Sequence, residues 1–148
     1  MLNITPLTAD ELALAYPIAY ASHRHPCSLN TFLSNQGPLY LNLKLVALGS
    51  LVGFAITQVV HDAASLFNLA IHPKARRQGY AYQLLLALIQ QLSSQTVAQL
   101  WLEVHVSNYP ARTLYQKLNF TEVSIRSGYY STDQGYEDAI VLVKDLTK

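Results

Sequence analysis

Arg76-Arg77-Gln78-Gly79-Tyr80-Ala81 stands between two stretches of different periodicity, and that junction decides the fold. Before it, Leu66-Phe67-Asn68-Leu69-Ala70-Ile71 reads as a buried strand. After it, Ala81, Leu84, Leu85, Leu88 and Leu92 fall on one face of a helix over 79–93. A glycine-bearing loop that leads from strand to helix presents backbone N–H groups with no partner inside the helix. The helix dipole adds positive potential at the same end. Such a terminus binds phosphate oxygens. Residues 77–82 are therefore expected to hold a phosphorylated ligand.

Working outward toward the N-terminus, Thr8 and Glu11 have capping-box spacing, and Leu12, Ala15, Tyr16 and Ala19 follow at helical intervals. A helix over 8–21 is predicted, with Pro17 kinking it or ending it early. Ser28 caps a short second helix through Phe32 and Leu33. Residues 39–48 and 51–60 are strand-like about a turn at Leu48-Gly49-Ser50, and a turn at 61–63 leads into a strand at 65–71. Toward the C-terminus, Leu100-Trp101-Leu102-Glu103-Val104-His105-Val106 is the next strand. Asn108 and Pro110 open a helix that carries Ala111, Leu114, Tyr115 and Leu118 and stops at Asn119. Strands at 121–126 and 136–144 close the chain around a loop rich in Gly, Ser, Thr and Asp. The order α-α-β-β-β-α-β-α-β-β predicts an α/β mixed sheet with helices on both faces, in a single domain over 1–148. Strands 65–71 and 99–106 should be parallel neighbours joined by a right-handed crossover.

Composition narrows the partners. The chain has 148 residues, 51% hydrophobic and 13% charged, so a real core is expected and long disordered tails are not. A net charge of +1 with no basic block argues against direct nucleic-acid binding. No run reaches the roughly 18 apolar residues of a membrane span. Cys27 is the only cysteine, so no internal disulfide can form, and a cytoplasmic location is expected. His23, His25 and Cys27 form a His-x-His-x-Cys pattern, but no fourth ligand has fitting spacing, and no metal is expected.

Three classes of phosphate loop compete for 76–81. A P-loop needs Gly-Lys-Ser/Thr at the helix start, which is absent, and a dinucleotide fingerprint needs three glycines where this chain has Gly79 and Ala81. The remaining pattern, Arg/Gln-x-x-Gly-x-Gly/Ala, resembles the coenzyme A pyrophosphate loop of the GNAT N-acetyltransferases. Other segments agree in order. Leu69-Ala70-Ile71-His72-Pro73 resembles the family's strand and following turn, and Leu102-Glu103-Val104 with Ser107-Asn108 resembles the next strand and helix start. Leu114-Tyr115-Gln116-Lys117-Leu118-Asn119-Phe120 resembles its "L-Y-x-x-x-G-F" segment. Ser34-Asn35-Gln36-Gly37, Phe54-Ala55-Ile56-Thr57-Gln58, Leu100-Trp101-Leu102-Glu103-Val104, Tyr129-Tyr130 and Glu137-Asp138-Ala139-Ile140 narrow the resemblance to the bacterial RimI enzymes, over nearly the whole chain.

That resemblance implies acetyl-CoA as acetyl donor and, as acceptor, the N-terminal alanine of a ribosomal protein, the eighteenth of the small subunit. It places the pyrophosphate on Arg77, Gln78, Gly79, Tyr80, Ala81 and Tyr82 through backbone N–H groups, and the pantetheine arm along Leu69, Ala70 and Ile71 and beside Asn108. Asn108 would otherwise serve simply as an N-cap. Glu103 is the candidate general base. It is the only acid between Leu100 and Val106, where an unpaired carboxylate is costly to bury, and alternation puts it on a face with Trp101 and His105. It would take the proton directly or through one water. Tyr115 is the candidate acid for the departing thiolate, one residue past a core-facing Leu114. Arg76 and Arg77 are either phosphate neighbours or solvated. Asn119 stands where the family has glycine, and Cys27 where relatives often carry an aromatic. Two alternatives stay open: an acetyltransferase for small amines or lysine side chains, and a coenzyme A-binding module without turnover.

Overall fold

The computed structural model describes residues 2–22, 27–132 and 135–147, with backbone alone for 128–132 and 135–137. Its frame is a seven-stranded sheet: β1 (Leu2–Pro6), β2 (Leu43–Ala47), β3 (Ser50–Val60), β4 (Ala63–Ile71), β5 (Gln99–His105), β6 (Thr121–Thr132) and β7 (Gly135–Asp145). The spatial order is β1-β2-β3-β4-β5-β7-β6. Among the described residues β4 and β5 pair in parallel and the other neighbours antiparallel. Helices α1 (Leu12–Ser22) and α2 (Leu29–Leu33) cover one face, and α3 (Tyr80–Ser94) and α4 (Tyr109–Lys117) the other. The mixed α/β sheet expected from the element order is thus present.

Three departures have physical causes. β1 adds a strand at the sheet edge that the expected order lacked. Leu2 and Ile4 alternate with exposed Asn3 and Thr5, but five residues ending in proline give a weak signal. The helix expected over 8–21 is a 3₁₀ turn at Ala9–Glu11 followed by α1, and α1 runs through Pro17 to Ser22. Proline inside a helix costs about 3 kcal/mol, yet Leu12, Ala15, Ile18 and Ala19 are buried on both sides of it, and that packing holds the helix together. The last two strands are longer than expected and take in most of the predicted loop. Ser127 and Gly128 fall where the β6–β7 register slips, between Arg126 and Tyr130, so a glycine-bearing bulge absorbs what reads as loop composition.

A second bulge positions the site. β3 pairs Ile56 with Asn68 and then Thr57 with Leu66, so β4 carries an extra residue at Phe67. The side-chain phase of β4 flips there. Ala64 and Leu66 pack toward α3, whereas past the bulge Ile71 packs that way and Ala70 turns to the α1 face. Parallel pairing runs from Ala63–Gln99 to Leu66–Leu102 and stops. Beyond it β5 stays paired to β7 through Glu103, Val104 and His105, while β4 stays paired to β3 through Leu69, Ala70 and Ile71. The sheet is therefore split between 67–71 and 103–105.

Candidate active site

The split supplies what a chain-like ligand needs. Past Leu66 no strand faces the outer edge of β4, so outward backbone groups in 69–71 have no ladder partner there, and the Ile71 carbonyl accepts instead from Arg76 Nε. The β4 chain leads straight to the phosphate loop at the mouth. His72 caps the short turn Pro73–Ala75, its Nδ1 accepting from the Lys74 N–H at 3.1 Å. Arg77 and Gly79 then take left-handed conformations at φ 65° and 76°. The first helical bond of α3 runs from the Gln83 N–H to the Gly79 carbonyl at 3.1 Å. Among the described residues no group accepts from the N–H of Gln78, Gly79, Tyr80, Ala81 or Tyr82. Gly79, Tyr80, Ala81 and Tyr82 line a cleft of about 620 Å³, whose other walls include Ile71 and, from α4, Pro110, Thr113, Leu114 and Lys117. Its charged lining residues, Arg76, Arg77 and Lys117, are all cationic. A diphosphate fits that donor set.

The two arginines divide their work. Arg76 lines the cleft and is also tied to the fold: Nε donates to the Ile71 carbonyl at 3.2 Å and Nη2 to Ser22 Oγ at 3.1 Å. It ties the end of β4 to the end of α1, a role that proximity to the phosphate loop did not suggest. Arg77 remains beside the cleft.

Asn108 and Tyr115 stand at the cap and in the last turn of α4. Asn108 is the N-cap, its Oδ1 accepting from the Ala111 N–H at 3.3 Å. Because the cap needs an acceptor, the amide's donor end, Nδ2, is the one left for a ligand. Asn119 takes φ 65°, the conformation that glycine supplies at a helix end, so its substitution is absorbed locally. The helix is turned relative to expectation. Tyr115 itself is the core-facing residue, 7% exposed and 5.5 Å from the Phe120 ring, while Leu114 is only half-buried and lines the cleft. The Phe120 N–H bonds back to the Tyr115 carbonyl, and that tight exit draws Tyr115 inward.

Glu103 lies on the other face. In β5, Leu100, Leu102 and Val104 are buried under α3 and α4, whereas Trp101, Glu103 and His105 are half-exposed on the opposite side, as alternation predicts. Glu103, beside the split, and Tyr115, in the core under α4, thus lie on opposite faces of the sheet. The Glu103 carboxylate is bonded by Arg126 of β6, Nη1 to Oε1 at 2.6 Å. Sequence reasoning missed Arg126 and also the cleft residues Thr113 and Lys117. Thr113 and Lys117 are four apart on α4, a spacing that places them on one helix face, but nothing in the sequence pairs residue 126 with 103.

A second concavity, about 500 Å³, lies beside Pro6, Gln91 and Gln95 and gathers none of these residues. His23 and His25 lie outside the described residues. Among the described ones no group of three His, Cys, Asp or Glu is placed to hold a metal.

The split parallel pair and the left-handed glycine loop at its mouth are the features that comparisons with known proteins place in a family. Residues 6–120 match the model of the Acetyltransferase (GNAT) family. The chain is 48% identical over 147 residues to the ribosomal protein bS18-alanine N-acetyltransferase of Escherichia coli (strain K12), covering 99% of each chain. It is 43% identical over 140 residues to the enzyme of that name from Haemophilus ducreyi, covering 95% of this chain and 97% of the relative. The crystal structure of the ribosomal-protein-S18-alanine N-acetyltransferase from Escherichia coli superposes with a TM-score of 0.97 at 46% identity, over 100% of this chain and 96% of that one. The chain belongs to the GNAT acetyltransferase family and, within it, to the RimI branch.

Proposed function

We propose that the protein transfers the acetyl group of acetyl-CoA to the α-amine of the N-terminal alanine of ribosomal protein bS18, with residues 1–148 acting as one catalytic domain in the cytoplasm. The end-to-end similarity to the Escherichia coli enzyme supports the choice of acceptor. The chemistry is supported by the β4–β5 split beside Glu103 and by the phenol of Tyr115 on the opposite face of the sheet.

Acetyl-CoA supplies an activated acetyl group as a thioester. The N–H groups of 78–82 hold its pyrophosphate, and Leu69, Ala70, Ile71 and Asn108 Nδ2 bond the pantetheine arm through the open edge of β4. On the acceptor face Glu103 takes a proton from the α-ammonium, directly or through one water, which frees the lone pair for attack. A backbone N–H of 69–71 donates to the carbonyl oxygen as it gains charge. Tyr115, from the cofactor face, gives a proton to the sulfur as the carbon–sulfur bond breaks; the second proton shed by the nitrogen as the amide forms restores the phenol by way of solvent, and Glu103 releases the first to solvent, so one proton leaves per turnover. The amine nitrogen attacks the carbonyl carbon directly, so no enzyme nucleophile is needed and Cys27 has no part in the transfer.

Turnover of a peptide copying the bS18 N-terminus, followed by release of free thiol, tests this reading. Glu103→Gln and Tyr115→Phe should each lose most of that turnover. Near-normal rates in both would remove the two assignments.

A further inference from the structure

Glu103 does not stand alone on the acceptor face. Arg126 reaches across β7 to place Nη1 2.6 Å from Glu103 Oε1, at the short end for a charge-assisted hydrogen bond. Three strands fix this reach. Glu103 pairs with Val141 and Val141 with Ser124, while His105 pairs with Ala139 and Ala139 with Arg126. Paired residues and their neighbours two along share one face of a sheet, so the guanidinium spans a diagonal from β6 to β5. The β6–β7 register slips immediately after Arg126, and bulges of this kind re-aim side chains beside sites. Arg126 occupies only one oxygen. Among the described residues nothing bonds Glu103 Oε2.

We propose that Arg126 is a positioning residue for acetyl transfer. It pins Oε1 and thereby presents Oε2 to the acceptor's α-ammonium, or to the water that relays its proton. A glutamate at the edge of an open split would otherwise spread over several rotamers, and general-base catalysis demands one geometry. The contact is not there for the fold. Arg126 is 49% exposed and Glu103 29%, and ion pairs so open to solvent add little to stability. The inference rests on Glu103 being the base.

A double-mutant cycle separates the two claims, using the full-length protein, acetyl-CoA and an alanine-initiated bS18 peptide. Arg126→Gln should lower kcat by about 10- to 100-fold, the range expected for a misplaced catalytic group. KM for acetyl-CoA and the melting temperature should hold, and Arg126→Lys should restore part of the rate. In the Glu103→Gln background the same change should cost nothing further, because the residue it positions is already disabled. An equal loss in both backgrounds, or no loss in either, overturns the positioning role. If Glu103→Gln alone keeps near-normal turnover, the base assignment fails and takes this inference with it.

Discussion

Replacing Gly79 by alanine separates what the phosphate loop costs the fold from what it gives the ligand. Gly79 sits at φ 76°, where an added Cβ meets nothing within 4 Å. The fold therefore suffers no clash and loses only the backbone penalty of a left-handed L-residue, roughly 1–2 kcal/mol. For a chain of this size that lowers Tm by roughly 2–8 °C. The ligand should lose more. On the proposed reading, hydrogen bonds from the N–H groups of 78–82 would bring phosphate oxygens within about 3 Å of the backbone, into the open space beside Gly79. Acetyl-CoA affinity is expected to fall at least about tenfold, equivalent to about 1.4 kcal/mol beyond the folding loss. Isothermal titration well below the new Tm, with a melting curve of the ligand-free variant, reads the two effects apart. The expected Tm loss with an unchanged acetyl-CoA Kd would refute the claim that this loop carries the pyrophosphate.

Three further predictions follow from named contacts. Tyr115→Phe keeps the ring against Phe120 while kcat should fall by about 10²- to 10⁴-fold, the usual worth of a general acid; steady-state kinetics with thiol detection decides it. Glu11 is held down at about 2, first by its side-chain bond from Lys44 and then by the Thr8 N–H and hydroxyl. Its stabilising effect is present above the ordinary value of 4.5 and is lost as pH falls from there toward 2. The urea-midpoint gap between the parent and Glu11→Gln should narrow over that window, and a gap independent of pH contradicts it. Leu48 is 88% exposed at φ 52° in the two-residue turn with Gly49, so Leu48→Asn should raise Tm by a few degrees and leave turnover unchanged; a lower Tm would show that the leucine makes a contact there.

How much of this was legible depended on whether a signal was local. The helix after Gly79, the Asn108 cap and the left-handed exit at Asn119 each rest on residues a few positions apart, and the structure places all three as read. Alternation along β5 put Glu103 on a face with Trp101 and His105 for the same reason. β1 escaped because an edge strand needs little apolar surface, and α1 passed Pro17 because burial outweighed a local rule. Leu114 and Tyr115 exchanged roles because the packing of Phe120 sets the rotation of α4, and helical period alone does not fix that angle to within one residue. Arg126 was invisible: its link to Glu103 spans 23 positions and exists only through the register of β5, β7 and β6.

The most direct measurement is fragment mass spectrometry of an alanine-initiated bS18 peptide with an internal lysine, after incubation with the protein and acetyl-CoA. One acetyl group on the α-amine of the first residue, matched by one equivalent of free thiol, is the predicted result. Acetyl found on the lysine side chain with the N-terminus left free, or acetyl-CoA bound with no thiol released, would contradict the account.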